Sequence, residues 1–391
     1  MLKRFRNHWL FLALDAALAG MLAACSSTNE RAPQSSQYIA AVRAIQEVKA
    51  KYAPDPRLAI FTIGLTNQGG SLVLTGEVDR AQAKAETVIA VERTGARVTD
   101  RIAVLPAEAL GTRAWGIVCL SVASGRLLPD HKSEMGTQIM MGNPVRLWKQ
   151  STNWFYVQSA DGYLAWLEKG VFIRCSHEEL DAWGHAPRLI VTALEDMILE
   201  QPESGAQPVS DVVMSDLVKQ IGVQGDWFQV ELPDGRKGFL PKKSAEEYGA
   251  WKQGRRATPE NIERAARMFL GRPYLWGGAS PKGLDCSGFA KLVFYMNGID
   301  LNRDAAEQAH QGSEVPLDAD LTGLKKGDLI FFGRRMPGRP ERVIHAGIYL
   351  GDKLFIHSSE RVQISSLDPS SPIRDEHRIR TLLHARRILP E

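Results

Sequence analysis

The sequence predicts an α+β protein built of several domains, on three observations. At 391 residues the chain is too long for one compact core, so roughly two to four domains are expected. Its middle third repeats a unit of strand, Asp-Gly turn and strand. On both sides of this β-rich stretch, apolar residues at helical spacing alternate with runs of strand character.

The first 24 residues stand apart. Lys3, Arg4 and Arg6 precede an apolar run from Trp9 to Ala24 that is broken only by Asp15. This is the layout of a secretory signal, too short and wrongly flanked for a membrane span. The run ends Leu22-Ala23-Ala24-Cys25, which resembles the lipobox of bacterial lipoproteins. That resemblance implies a lipidated Cys25, and two or three acyl chains hold a protein on a bilayer far better than one. Residues 25–36 then read as a polar tether. Ser26 after the cysteine is compatible with sorting to the outer membrane, so the expected location is the cell envelope, lipid-anchored and facing the periplasm.

The formal charge of +3 excludes a dedicated nucleic-acid binder and says little more. Four cysteines need a place. Cys25 goes to the anchor and Cys286 to the chemistry below. Cys119 and Cys175 either pair in an oxidising compartment or are buried separately as small hydrophobes.

Residues 37–110 predict a small α+β domain. Ile39, Val42, Ile45 and Val48 mark a helix that Pro54 and Pro56 end. Leu58 to Leu65 and Ser71 to Gly76 read as strands around the turn Asn67-Gln68-Gly69-Gly70; a helix follows from Ala81 to Val91 and a strand from Val98 to Val104. The segment from Leu72 to Val78 with its alanine-rich helix resembles the BON-type fold of other envelope proteins over a short stretch, and a plain spacer domain is the better account. Residues 111–183 and 184–250 carry the repeated unit. Asn153 to Val157 leads through Asp161-Gly162 to Tyr163 and Leu167, and Asp226 to Val230 leads through Asp234-Gly235 to Leu240. The repetition resembles two bacterial SH3-like barrels in tandem, with Trp154, Trp166 and Trp227 as packing residues. A basic linker precedes the last domain, residues 258–391, where Thr258 caps a helix that Pro259 opens.

The last domain carries the chemistry. Leu284-Asp285-Cys286-Ser287-Gly288-Phe289 leads into an amphipathic helix, so Cys286 is expected at its N-terminus. That position favours a thiolate, and the free amides there can stabilise an oxyanion. His345 and His357 lie on two strand-like stretches with Gly351 midway. A two-residue turn at Gly351-Asp352 puts the histidines on opposite faces, whereas a three-residue loop centred on Gly351 puts them on one face. In the second register His357 orients His345 as the base. No fourth ligand or CxxC spacing accompanies these groups, so neither a metal nor a cofactor is expected. Arg334, Arg335, Arg339 and Arg342 read as a solvated loop.

These residues resemble the NlpC-type family of papain-like cell-wall cysteine peptidases. The resemblance covers residues 258–391 and includes Tyr274 to Gly278, Asp285 to Gly288, Arg303-Asp304 with Gln308, Lys326 to Phe332 and the two histidines. It implies Cys286 as nucleophile, His345 as base and His357 as orienting residue, with Tyr274, Asp285, Ser287 and Arg303 shaping the substrate pocket. Ser133 to Gln138 and Asp161 to Tyr163 resemble the γ-D-glutamyl-L-diamino acid endopeptidases. In those enzymes a glutamate and a tyrosine of the first SH3-like domain meet the free amine of an N-terminal L-alanine, which makes Glu134 and Tyr163 the matching positions. The implied partners are peptidoglycan stem peptides and, through the anchor, a membrane. The implied activity is release of L-Ala-D-Glu. A murein endopeptidase or amidase acting on intact wall, and a non-catalytic peptidoglycan-binding lipoprotein, stay open as alternatives.

Overall fold

The computed structural model of the protein describes residues 36–336, 338 and 341–389. The stretch expected to be a secretory signal, Cys25, the expected tether before Ser36 and Arg339 lie outside them. Among the described residues no helix is long and apolar enough to cross a membrane.

The N-terminal domain contains α1 (Ser36–Tyr52), β1 (Gly64–Gln68), β2 (Ser71–Val78), α2 (Ala81–Glu92) and β3 (Arg97–Val104). Gly69 and Gly70 both take positive φ, as a two-residue hairpin loop demands, and join β1 to β2. The α2 crossover makes β3 parallel to β2. Two expectations need correcting. The buried stripe of α1 is Ala41, Ile45 and Val48, while Ile39 and Val42 face solvent. Residues 58–61 form no strand of this sheet beyond one bridge from Phe61 to Val78. They run instead along the neighbouring barrel, where Ile60 and Leu105 close a small apolar core with Leu164.

That barrel holds β4 (Trp115–Val118), β5 (Val122–Arg126), β6 (Met135–Met140), β7 (Pro144–Ser151), β8 (Trp154–Ser159), β9 (Leu164–Glu168) and β10 (Phe172–Cys175). Their order in the sheet is β10-β4-β7-β8-β9-β5-β6. After α3 (His177–His185), which a Ser176–Glu179 capping box starts, a second barrel repeats the plan. It holds β11 (Arg188–Val191), β12 (Glu195–Leu199), β13 (Pro208–Val213), β14 (Leu217–Gln224), β15 (Trp227–Glu231), β16 (Lys237–Pro241) and β17 (Ala245–Glu247). Gly162 and Gly235, the turn glycines of the repeated unit, both have positive φ. Trp154 and Trp166 are buried as packing residues, and Trp227 is half-buried. Asp216 staples the barrels together. Its carboxyl accepts from Val213 N at 2.8 Å within the second barrel and from Met141 N at 3.0 Å in the first. Burial pushes this carboxyl well above the ordinary carboxylate range. Cys119 and Cys175 are free and buried, so the pairing left open above is not formed.

The last domain follows α4 (Tyr248–Gly254). Helix α5 (Pro259–Arg267) starts with Thr258 accepting from Asn261 N at 3.2 Å. The short pair β18 (Ala279–Ser280) and β19 (Gly283–Leu284) leads into α6 (Cys286–Met296) and α7 (Ala305–Gln308). The sheet comprises β20 (Ser313–Glu314), β21 (Leu329–Arg334), β22 (Arg342–Gly351), β23 (Leu354–Ser358), β24 (Val362–Ser366) and, after α8 (Glu376–Thr381), β25 (Leu382–Arg387). The order is β20-β25-β21-β22-β23-β24. Helix α6 lies on β22 and β23 through Phe289, Val293, Ile348 and Ile356, all fully buried. Residues of this kind each contribute roughly 1.5–3 kcal/mol by leaving water, and here they press the helix start onto the strands that bear the histidines.

Candidate active site

The Asp285–Gly288 sequence builds a helix start with a reactive group at its first position. Asp285 is extended (φ −84°, ψ −178°) and its side chain accepts from Gly288 N at 2.7 Å. Cys286 is therefore the first helical residue. Gly288 has to be glycine because an added Cβ would stand 2.1 Å from the carbonyl oxygen of Gly278. That same carbonyl accepts from Asp285 N at 2.9 Å.

The histidines share one face, by neither of the turns expected from the sequence. Asp352 and Lys353 form the two-residue loop, both with positive φ, and a bulge between Tyr349 and Gly351 shifts the register. His357 consequently faces Gly347, two residues along from His345 on the same side of the sheet. Because Gly347 has no side chain, the His357 ring can lean towards His345. His345 Nε2 and His357 Nδ1 are 2.8 Å apart, and His357 Nε2 lies 3.1 Å from Ser365 Oγ.

Burial dominates the electrostatics. Cys286 is 7% exposed, and burial pushes its thiol up to about 11. The Asp285 charge adds to this, while a hydrogen bond from Ala346 N, the Arg303 charge and the amide of Ser287 oppose it. Burial thus opposes the lowering expected from the helix terminus. Burial also holds His345 well below its ordinary 6.5, with the charges of Arg378, His357 and His377 acting in the same direction. It brings His357 down to about 4, Arg378 adding to the effect and Asp375 opposing it. Burial thus favours the neutral forms of the thiol and of both imidazoles.

Around this centre, Arg303 is 2% exposed and fully engaged. It meets Asp285 through two nitrogens, Nη2 at 2.6 Å and Nη1 at 3.2 Å, and donates to Ser287 Oγ at 3.2 Å and Thr137 Oγ1 at 3.0 Å. Thr137 belongs to β6, so the first barrel is bonded to the cap of the catalytic helix. Tyr274 is half-buried; burial, with the charges of Cys286 and Asp285, holds its hydroxyl above the ordinary range. Glu134 and Tyr163 reach the peptidase domain at two separate points. Trp276 Nε1 donates to Glu134 Oε1 at 2.5 Å. Tyr163 is 4% exposed, packs over Gly136, and lies within the electrostatic reach of Arg303 and Asp304.

Several members of the site were not singled out from the sequence. Gln308, buried, donates to Ser287 O at 3.0 Å and Asn302 O at 2.9 Å; its place in the Arg303-Asp304 motif was the available signal. Gln138 accepts from Ala279 N at 2.9 Å, and the quoted segment ending at Gln138 contained it. Ser365 and Arg378 carried no local signal. Among the described residues no cluster of three or more His, Cys, Asp or Glu is arranged to hold a metal ion.

A cysteine at a helix start, with paired histidines on an adjoining antiparallel sheet, is the arrangement of a papain-like cysteine peptidase domain. Residues 271–381 match the NlpC/P60 family, and residues 126–170 match the bacterial dipeptidyl-peptidase Sh3 domain, so the chain carries an NlpC/P60 peptidase domain together with such an SH3 domain. The chain is 26% identical over 272 residues to dipeptidyl-peptidase 6 of Lysinibacillus sphaericus, covering 66% of this chain and 93% of that protein. It is 26% identical over 273 residues to the γ-D-glutamyl-L-lysine dipeptidyl-peptidase of Bacillus cereus, covering 68% and 78%. The crystal structure of an NlpC/P60 family protein from Bacillus cereus ATCC 10987 covers 71% of this chain and 100% of its own, with TM-score 0.60 at 24% identity, a likeness of fold.

Proposed function

We propose that the protein is a cysteine peptidase that hydrolyses the γ-D-glutamyl–diamino acid bond of peptidoglycan stem peptides bearing a free N-terminal L-alanine, releasing L-Ala-D-Glu. The observation that carries this reading is the meeting of two parts: Cys286, bonded to the amide of Ala346 next in sequence to His345 of the His345–His357 pair, and Glu134 of the first barrel joined to Trp276 at the rim. The names of the relatives support the bond and the substrate class.

Cys286 Sγ attacks the γ-carbonyl carbon while its proton passes to His345. Amides at the start of α6 receive the negative oxygen. The intermediate collapses, His345 returns the proton to the departing amine of the diamino acid, and a thioester to D-glutamate remains. Water, deprotonated by His345, attacks the thioester and frees L-Ala-D-Glu and the thiol. His357 holds the His345 ring, and Asp285, Ser287 and Arg303 hold the helix start with Tyr274 alongside. Glu134 and Tyr163 meet the ammonium of the terminal alanine, a charge-assisted pairing that an acylated stem cannot make. The proposal includes lipid anchoring at Cys25 in the outer membrane, facing the periplasm.

The test is hydrolysis of L-Ala-γ-D-Glu-diaminopimelate and its N-acetylated form by wild type and Cys286→Ala, with mass detection of products. Cleavage of the free peptide alone, abolished in the variant, supports the reading. Equal cleavage of both would replace it with a hydrolase of intact wall.

A further inference from the structure

The N-terminal domain contains neither the nucleophile nor its base, yet the loop between α1 and β1 enters the peptidase domain. Asp55 grips Arg57, accepting from its backbone N at 2.8 Å and its Nε at 2.9 Å. The guanidinium so held pairs through Nη1 with the Asp304 carboxylate, and its Nη2 lies 3.9 Å from Glu307 Oε1. The main chain here is docked on the first barrel. Leu164 N, next in sequence to Tyr163, donates to Arg57 O at 2.7 Å, and Gln158 Nε2 donates to Leu58 O at 2.8 Å.

This cation lies where the N-terminal domain, the first barrel and the peptidase domain meet. Asp304 directly follows Arg303, whose bonds to Asp285, Ser287 and Thr137 tie the catalytic helix to β6. Both carboxylate oxygens of Glu307 are buried, and its charged neighbours are the Arg57 cation and two further carboxylates, Asp55 and Asp304. A buried carboxylate so placed is costly unless it is protonated or faces a cation.

We propose that Arg57 is a positioning residue for the substrate pocket, through which the N-terminal domain sets the placement of the Arg303–Glu307 segment beside Tyr163. This inference rests on the proposed function for its substrate. The groups facing the cluster are Asp55 and Arg57 from the α1–β1 loop, Arg303, Asp304 and Glu307 at α7, and Tyr163 before β9. Burial raises Glu307 to about 7, and Arg57 is what pulls it down against Asp55 and Asp304. Asp304 is likewise raised by burial and lowered by Arg57 and Arg303. Without the cation, Asp55, Asp304 and Glu307 crowd one another and the segment loses its fixed partner. The disturbance falls on substrate binding near Tyr163 more than on the proton transfer at Cys286.

The experiment compares the full chain as wild type, Arg57→Ala, Arg57→Lys and Lys149→Ala. Lys149 pairs with Glu77 across the contact between the same two domains, without touching the peptidase domain. On L-Ala-γ-D-Glu-diaminopimelate, Arg57→Ala is expected to raise KM about tenfold with kcat within about threefold. Arg57→Lys is expected to recover most of the loss, and Lys149→Ala to leave both constants unchanged. A second readout needs no turnover: NMR titration of δ-13C-glutamate, with the Glu307 resonance assigned by Glu307→Gln. Removing the cation is expected to move the Glu307 midpoint upward from about 7. An unmoved midpoint, an unchanged KM, or an equal loss in Lys149→Ala overturns the proposal. Failure of wild type to cleave the tripeptide counts against the proposed function instead, and the titration then decides the role of Arg57 alone.

Discussion

His345 Nε2 stands 2.8 Å from His357 Nδ1, with the two rings almost perpendicular at 85°. One proton serves that bond, and the hydroxyl of Ser365 lets the network hold it on His345. His357 Nε2 faces Ser365 Oγ at 3.1 Å, which can accept from it. His357 can thus keep its proton on Nε2 and offer Nδ1 as acceptor to the Nε2–H of His345. The other nitrogen of His345 is then free to take the proton of Cys286. This arrangement fits the orienting role proposed for His357.

Removal of that partner is therefore expected to lower turnover without abolishing it. His345→Ala removes the base and is expected to cost about 10²–10⁴-fold in kcat. His357→Ala leaves the base but loses its orientation, so a smaller loss, on the order of 10- to 100-fold, is expected. In His357→Asn an amide oxygen replaces Nδ1 as acceptor, and most activity should return. Steady-state kinetics of the three variants check this, and equal loss in His357→Ala and His357→Asn would sink the assignment.

The buried thiol leads to an unusual pH dependence. With the free-enzyme thiol at about 11, little thiolate exists at neutral pH. Alkylation of Cys286 by iodoacetamide, followed on its own peptide by mass spectrometry, should rise about tenfold per pH unit from neutrality towards that value. A plateau already reached near pH 6 would mean a thiolate–imidazolium pair at rest. The histidines add a stability term of opposite limb. Their folded pKa values lie below the ordinary value, so this stability is complete above about 6.5 and is lost as pH falls towards about 4.

How much of this could be read in advance depends on how local each cause is. Asp285 and Cys286 were legible because an N-cap and the first helical residue are decided within four residues. Gly162 and Gly235 were legible because Asp-Gly names its own turn. The histidine register was not. The loop falls on Asp352 and Lys353, two non-glycine residues at positive φ, while Gly351 is taken up by the bulge. The Leu58–Phe61 stretch alternates like a strand, yet it is shared: Ala59 and Phe61 pack into the N-terminal core while Leu58 and Ile60 meet the neighbouring barrel. Burial of the Cys286 thiol, and the reach of Arg57 to Asp304, depend on how domains pack and leave no trace in nearby sequence.

Arg303 offers a test of how the cap of α6 is held. It is a buried cation whose counter-charge is Asp285, the N-cap itself. Arg303→Ala leaves that carboxylate buried and uncompensated, with an expected loss of about 3–5 kcal/mol. Arg303→Lys keeps the charge but cannot reach Asp285, Ser287 and Thr137 together, so it should fall between wild type and Arg303→Ala. Urea unfolding gives the order, and wild-type stability in Arg303→Ala would remove Arg303 from this structural role.

Two glycines separate backbone strain from domain contact. Gly271 and Gly277 have positive φ, +84° and +73°. A Cβ at Gly271 meets nothing within 4 Å, whereas one at Gly277 would stand 2.2 Å from Met135 O on β6. Gly271→Ala should cost only the left-handed conformation, roughly 1–2 kcal/mol, and leave KM unchanged. Gly277→Ala must also push the loop bearing Trp276 off the barrel, breaking the contact of Trp276 with Glu134. It is expected to lose more stability and to raise KM for the free-amine tripeptide several-fold. Thermal unfolding with kinetics on both variants tests this: matched effects would mean that the close approach of Gly277 to Met135 has no part in holding Glu134, the residue proposed to meet the substrate amine, over the site.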